Sequence, residues 1–299
     1  MIFLILFFNS IYLLNTTMPK LYNFHTHSYF CDGSDHPEKY VLAALAADFH
    51  SLGFSSHAPV PFQNNFAIQD KEQLETYCNI IRDLKNKYSE RINIYLALET
   101  DYIKGISTDF SDVKKTNKLD YVIGSVHLVR NGSDRGLWFI DGPKAESYDK
   151  GLQEVFGGDV KKAVKAYYDQ VIQMLLAQKP DIVGHLDKIK MHNKDRYFKE
   201  NESWYQDLLM RTLEIIGQCD CVVEVNTRGV YKKRSPDLFP GIWVLKEIRK
   251  MGIPITLSSD AHRPEEINGY YSEAVEILKD CGFKSTYYFT LDGWKEQAL

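Results

Sequence analysis

Short β-prone runs alternate with longer amphipathic stretches from about residue 20 to the end of this 299-residue chain, and that rhythm limits the fold more than any other feature. Candidate strands are Leu21–Phe24, Gly53–Ser56, Ile92–Leu98, Tyr121–Ser125, Ile182–Gly184, Val222–Asn226 and Pro254–Ser258. Helix-like stretches lie between them: Glu38–His50, Lys71–Tyr88, Val160–Gln178, Glu202–Gln218 and Ile242–Met251. Strands separated by helices become parallel strands joined by crossovers. Seven such strands predict a TIM-type α/β barrel lacking one unit. An open doubly wound sheet is the alternative, but its phosphate fingerprints, GxGxxG and GxxxxGK[ST], are absent. Two long connections, Pro59–Asp70 and Leu128–Gly158, read as lids or as plain surface excursions.

No repeat, low-complexity block or linker divides the chain, so residues 18–299 read as one domain. Residues 1–17 stand apart. Met1–Leu14 is almost wholly apolar, too short to span a bilayer, and carries neither a basic n-region nor a cleavage site. Met18 opens a strand-like segment. Residues 1–17 therefore read as an extension from an upstream start site, with a targeting or anchoring segment as the alternative. Composition is that of a globular protein, with 44% apolar and 25% charged residues. A net charge of −4 gives no sign of a duplex-binding footprint. Five scattered cysteines read as thiols of a reducing compartment. The expectation is a cytoplasmic protein with no nucleic-acid partner, and no membrane partner unless the extension is real. Oligomeric state is left open.

The polar residues fall in a pattern. The first strand runs into His25-Thr-His27, the second ends at His57, the third at Glu99, the fourth at His127, the fifth at His185, and the seventh runs into Asp260-Ala-His262. Six of the nine histidines occupy these places. In a parallel barrel the C-terminal strand ends open onto one face, which holds the active site. Residues i and i+2 of a strand share a side, so His25 and His27 can bind one ion together, as can Asp260 and His262. Imidazole with carboxylate suits zinc, iron(II) or manganese(II). The donors are too many for one ion, so a cluster is expected, with Glu99 able to bridge. A lone histidine at a strand end is more often a hydrogen-bonded structural residue; the repeated placement is what points to metal.

At these residues the chain resembles the PHP (polymerase and histidinol phosphatase) superfamily. The motifs, in order, are His25-Thr-His27-Ser-Tyr-Phe-Cys-Asp32-Gly33, Ser56-His57, Leu98-Glu99, Gly124-Ser125-Val126-His127, Val183-Gly184-His185 and Ser259-Asp260-Ala261-His262. Within that superfamily, Trp138-Phe-Ile-Asp141, Gly184-His-Leu-Asp187 and Glu224-Val-Asn-Thr-Arg228-Gly229 are similar to histidinol-phosphatases. The resemblance implies a distorted (β/α)7 barrel and three divalent metal ions. His25, His27, Glu99 and Asp260 would hold the first, Glu99, His127 and His185 the second, and Asp32, His57 and His262 the third. Asp35 and His36 compete with Asp32 for its place.

The implied reaction is hydrolysis of a small-molecule phosphate monoester, L-histidinol phosphate, by a hydroxide that bridges the ions. Arg228, just past the sixth strand, suits bidentate phosphate binding, or else pairs with a surface carboxylate. Arg263 is a second phosphate candidate and Lys190 a third. Asp260 and His262 are candidate proton donors to the leaving group. Trp138 and Asp141 are candidates for the substrate's imidazole and ammonium, with Trp138 alternatively a loop anchor. Rival readings are a PHP-type phosphoesterase acting on nucleotides or nucleic-acid ends, an amidohydrolase, and a noncatalytic binding module.

Overall fold

The computed structural model describes residues 20–132 and 136–299; the expectation for residues 1–17 lies outside the described residues. In chain order the elements are β1 (Leu21–Asn23), α1 (Pro37–Ala46), β2 (Phe49–Phe54), α2 (Lys71–Lys87), β3 (Asn93–Asp101), α3 (Phe110–Asn117) and β4 (Tyr121–Ser125). There follow β5 (Leu128–Arg130), β6 (Leu137–Phe139), α4 (Ala145–Phe156), α5 (Val160–Gln178), β7 (Ile182–Val183), α6 (Ser203–Ile216) and β8 (Val222–Asn226). The chain ends with α7 (Arg228–Tyr231), α8 (Ile242–Met251), β9 (Ile255–Ser258), α9 (Tyr271–Asp280), β10 (Ser285–Thr290) and β11 (Gly293–Ala298).

Seven strands pair in the order β1-β2-β3-β4-β7-β8-β9, every pairing parallel. Just beyond β1 and β9, His27 N–H donates to Ala261 O at 2.8 Å and Ala261 N–H to His25 O at 3.2 Å. These two bonds bring the outer strands together, so the sheet is a nearly closed barrel of seven units, as expected. Strands covered by helices outside and filled inside are buried on both faces. Accordingly, every residue of β4, β8 and β9 is buried.

Aromatic rings fill the interior where β3 and β4 begin. Phe289 of β10 packs against Tyr95 and Tyr121 at centroid distances of 5.2 and 5.3 Å, and Trp294 of β11 lies edge-on to Phe24 at 6.0 Å. The antiparallel β10–β11 hairpin thus plugs the end of the barrel opposite the strand termini. Tyr121 reaches across to β2, where a Cβ at Gly53 would meet its hydroxyl at 1.8 Å. Only glycine leaves room for that crossing.

The seven expected strands are found, while α3, α7, α9 and the β10–β11 hairpin lie outside the sequence reading and two stretches are built differently from it. The stretch Glu38–His50 is not one helix: α1 ends at Ala46, Asp48 adopts φ 57°, and β2 begins at Phe49. A left-handed residue is a common way to leave a helix, and Asp tolerates it better than most. Leu128–Gly158 is not a featureless loop but the β5–β6 hairpin followed by α4. Its strands have only three residues each, and Lys144 gives α4 no side-chain cap. No capping side chain therefore marks where α4 starts. Pro59–Asp70 does lack regular structure and is organised by Asn64 Oδ1, which accepts from Phe66 N–H and Ala67 N–H at 3.1 and 2.8 Å. Among the described residues no helix is long and apolar enough to cross a membrane.

Phe289→Ala should open a cavity beneath the barrel and cost about 3–5 kcal/mol in urea unfolding. A loss below roughly 1 kcal/mol would show that the hairpin is not a plug.

Candidate metal centre

The C-terminal strand ends deliver imidazoles and carboxylates to one place. His25, His27, Glu99, His127, His185 and Asp260 are all buried, and His57 nearly so. Glu99 is the hub. Its Oε2 lies 3.2 Å from His25 Nε2, 3.4 Å from His27 Nε2 and 3.2 Å from His57 Nδ1. Its Oε1 lies 3.0 Å from His185 Nε2 and 3.5 Å from His127 Nε2, and accepts from Ser125 Oγ at 2.6 Å. Asp260 Oδ1 stands 3.4 Å from His27 Nε2 and 3.8 Å from His25 Nε2. Asp32 reaches the same mouth, with Oδ2 3.2 Å from His262 Nε2 and Oδ1 3.9 Å from His57 Nε2.

Ligand atoms gather in sets spanning no more than 4.8 Å: His25, His27 and Asp260; Glu99, His127 and His185; and His27, Asp32, His57 and His262. Two donors that share a zinc-class ion at roughly 2.0–2.1 Å stand about 3.0–3.4 Å apart. The spacings around Glu99 match that. A second observation supports the fit. His25 Nε2, His27 Nε2, His57 Nδ1 and Asp260 Oδ1 are buried and find no hydrogen-bond partner among the described residues. Buried polar atoms are rarely left so unless an ion or water completes them.

The electrostatics agree. Burial alone would push His25 down, but the Glu224, Glu99 and Asp260 carboxylates overcome it and raise its pKa to about 10. Burial dominates at His57 and lowers it to about 4, so that ring is neutral and ready to ligate. Burial opposes ionisation of Glu99, yet the surrounding imidazoles hold it well below the usual carboxylate range. Without cations this negative cluster binds protons; cations displace them.

Two carboxylates to which the sequence reading gives no role aim the ligands. His25 Nδ1 donates to Glu224 Oε1 at 2.6 Å, which turns Nε2 to the centre, and Glu224 Oε2 accepts from His185 N–H at 2.8 Å. His127 Nδ1 donates to Asp101 Oδ2 at 3.1 Å, and Asp101 Oδ1 accepts from the His127 N–H at 2.7 Å. Such partners fix tautomer and ring orientation. Asp101 was findable, because it lies two residues from Glu99 on one strand. Glu224 sits inside a quoted motif, but nothing in its spacing names its partner.

A cavity of about 370 Å³ opens beside the centre, lined by Asp32, His57, His127 and His262 and by Phe66, Phe139, Asp141, Arg228, Lys232, Arg234 and Arg263. That is enough room for a small ligand. Arg228 lies in its wall, and its side chain donates through Nη1 to Asp260 O at 2.9 Å, Glu266 Oε2 at 3.4 Å and Tyr231 Oη at 3.4 Å. Arg228 thus faces the cavity and at the same time pairs with the Glu266 carboxylate. Arg228 Nη1 and Tyr231 Oη also brace the backbone at Asp260, which adopts φ 52°. Arg263 lies at the rim, exposed. Lys190 is spent on Asp187 and Glu200, at 2.9 and 3.2 Å, away from this cavity. Asp35 pairs with Lys39, and His36 Nδ1 caps α1 by accepting from Glu38 N–H. Neither competes with Asp32.

Trp138 corrects the sequence reading. It is wholly buried, donates Nε1–H to Tyr148 O at 2.9 Å, and packs on Tyr148 and Phe156. It is the loop anchor. Successive strand residues face opposite ways, so Phe139 meets the cavity, stacked on Phe66 at 5.5 Å and 17°. Lys188, Lys232 and Arg234 add positive charge that the sequence reading did not single out.

Fold and site define a class: a parallel barrel with clustered candidate metal ligands at its C-terminal mouth, beside a cavity rimmed by cationic side chains. The chain belongs to the PHP domain family, whose model matches residues 23–228. It is 28% identical over 269 residues to a Deinococcus radiodurans protein named "Probable histidinol-phosphatase", covering 89% of this chain and 95% of that one. It is also 28% identical to the histidinol-phosphatase of Bacillus subtilis, covering 86% of this chain and 98% of that protein. The solved structure of histidinol phosphate phosphatase from Lactococcus lactis, complexed with zinc, L-histidinol and phosphate, shares the fold at TM-score 0.64 and 20% identity. That match covers 92% of this chain and 99% of the other.

Glu224→Ala should weaken metal retention about 10- to 100-fold, read as metal content after dialysis against a competing chelator. Wild-type retention would remove Glu224 as the brace of His25.

Proposed function

We propose that this protein is a metal-dependent phosphomonoester hydrolase that converts L-histidinol phosphate and water to L-histidinol and phosphate. The hydrolase reading is carried by Glu99, one buried carboxylate whose two oxygens serve different histidine sets. The substrate comes from the relatives, which are named histidinol-phosphatases and match this chain nearly end to end.

Three ions of zinc, iron(II) or manganese(II) would be held by His25, His27, Glu99 and Asp260; by Glu99, His127 and His185; and by Asp32, His57 and His262. When bound, such ions supply charge that neutralises phosphoryl oxygens and acidifies water toward neutrality. The protein's own residues position the ester. Arg228 offers its guanidinium from the cavity wall, with Lys232, Arg234 and Arg263 drawing the anion in. Charge complementarity and placement carry most of the work in phosphoryl transfer. Asp260 and His262, whose side chains approach to 3.3 Å, are the candidates to hand a proton to the leaving alkoxide. Phe139 and Phe66 give the imidazole an apolar wall, and Asp141 receives the ammonium.

Protein loaded with zinc, manganese or iron should release phosphate from histidinol phosphate faster than from nucleoside monophosphates or phenyl phosphate. Chelation should abolish this. A nucleotide ranked first would overturn the substrate. His127→Ala should lose turnover by at least about 100-fold with its circular dichroism spectrum intact; full activity would contradict the second ion set.

A further inference from the structure

Lys188 is a buried cation that the reaction above does not use, 2% exposed and three residues past His185. Its N–H donates to His185 O at 2.9 Å. In such a tight turn, residues three apart fall on one side. The turn that delivers His185 to the metal centre therefore places an ammonium beside it. The neighbouring Lys190 has two carboxylates for its charge. Among the described residues Lys188 has one, Asp141, with Oδ2 3.2 Å from Nζ, and the ring of Phe239 at 5.6 Å.

Asp141 is itself peculiar. It lines the cavity, its side chain is 20% exposed, and Oδ2 stands 3.7 Å from His127 Nε2. Its Oδ1 has no hydrogen-bond partner among the described residues. A buried ion pair adds little to stability, because desolvation offsets the attraction. Beside a centre built for cations, an untethered carboxylate would be drawn onto the ions.

We infer that Lys188 is a positioning residue: it holds the Asp141 carboxylate at the cavity wall, where it meets the ammonium of the phosphomonoester instead of joining the metal cluster. This rests on the proposed substrate. The role selects for amine-bearing esters and leaves the phosphoryl chemistry to other groups. A direct phosphate contact by Lys188 would instead weaken every ester alike.

The test uses the metal-loaded protein with histidinol phosphate and phenyl phosphate, which has no ammonium. In Lys188→Met the ratio of kcat/KM values, histidinol phosphate over phenyl phosphate, should fall about 10- to 100-fold, with KM carrying the change. Asp141→Asn should do the same, and the double variant should be no worse than Asp141→Asn alone, since one residue acts through the other. Direct binding of L-histidinol, read by titration calorimetry, should weaken in parallel. An unchanged ratio in Lys188→Met, whether through phosphate contact or lost packing, overturns the inference, as does a double variant in which the losses multiply. Should Lys188→Met not fold, an unchanged ratio in Asp141→Asn overturns it equally. A wild-type protein with no preference between the two esters would sink the substrate reading itself; a clear preference with unaffected variants sinks only the role of Lys188.

Discussion

The Glu99 carboxylate is the point on which the mouth of the barrel depends. A fully buried carboxylate without partners would cost several kcal/mol or take up a proton. Here it stays ionised because imidazoles from four other strand ends converge on its two oxygens. Those imidazoles would in turn be poorly placed without it. The result is a cluster whose members are stable only together, and whose unpartnered nitrogens and oxygens define where cations belong.

Such a cluster needs a rigid frame, and the barrel supplies it from both ends. At the mouth, backbone bonds between the His25–His27 and Ala261 segments join first and last strands through the ligand residues themselves. Closing the barrel and assembling the centre are therefore one event. At the other end the β10–β11 hairpin fills the interior with aromatic rings, so the strands cannot shear past one another without loss of packing. Glu224 and Asp101 translate that rigidity into ring orientation, since each grips a histidine ring and a backbone N–H.

Outward from the ligands, charge changes sign. The inner ring is acidic and cation-seeking; the cavity rim carries Arg228, Lys232, Arg234 and Arg263. Glu266 partly neutralises this rim, bonded to Lys232 at 2.7 Å and close to Arg228. The cavity thus offers cationic side chains to an anionic group and, in Asp141 and the Phe66–Phe139 stack, an acidic and an aromatic surface. An amine-bearing phosphate ester, the substrate class proposed above, would use both.

Strand rhythm and the polar residues at six of the seven strand ends were enough to name the barrel, its mouth and the candidate ligand residues, because both signals are local: period, spacing and position along one strand. The resemblance added Asp32, which local spacing could not separate from Asp35 or His36; the tertiary structure separates them by giving those two other partners. The parity of one short strand, which buries Trp138 and presents Phe139, was not legible either, nor was the hairpin plug or the bracing by Glu224. Each depends on contacts between residues far apart in the chain, and a sequence lists such residues without saying which will touch. What the sequence by itself determined was the set of donors and the face they share. Which carboxylate grips which imidazole, and which lysine pairs with Asp141, was decided only when the barrel closed.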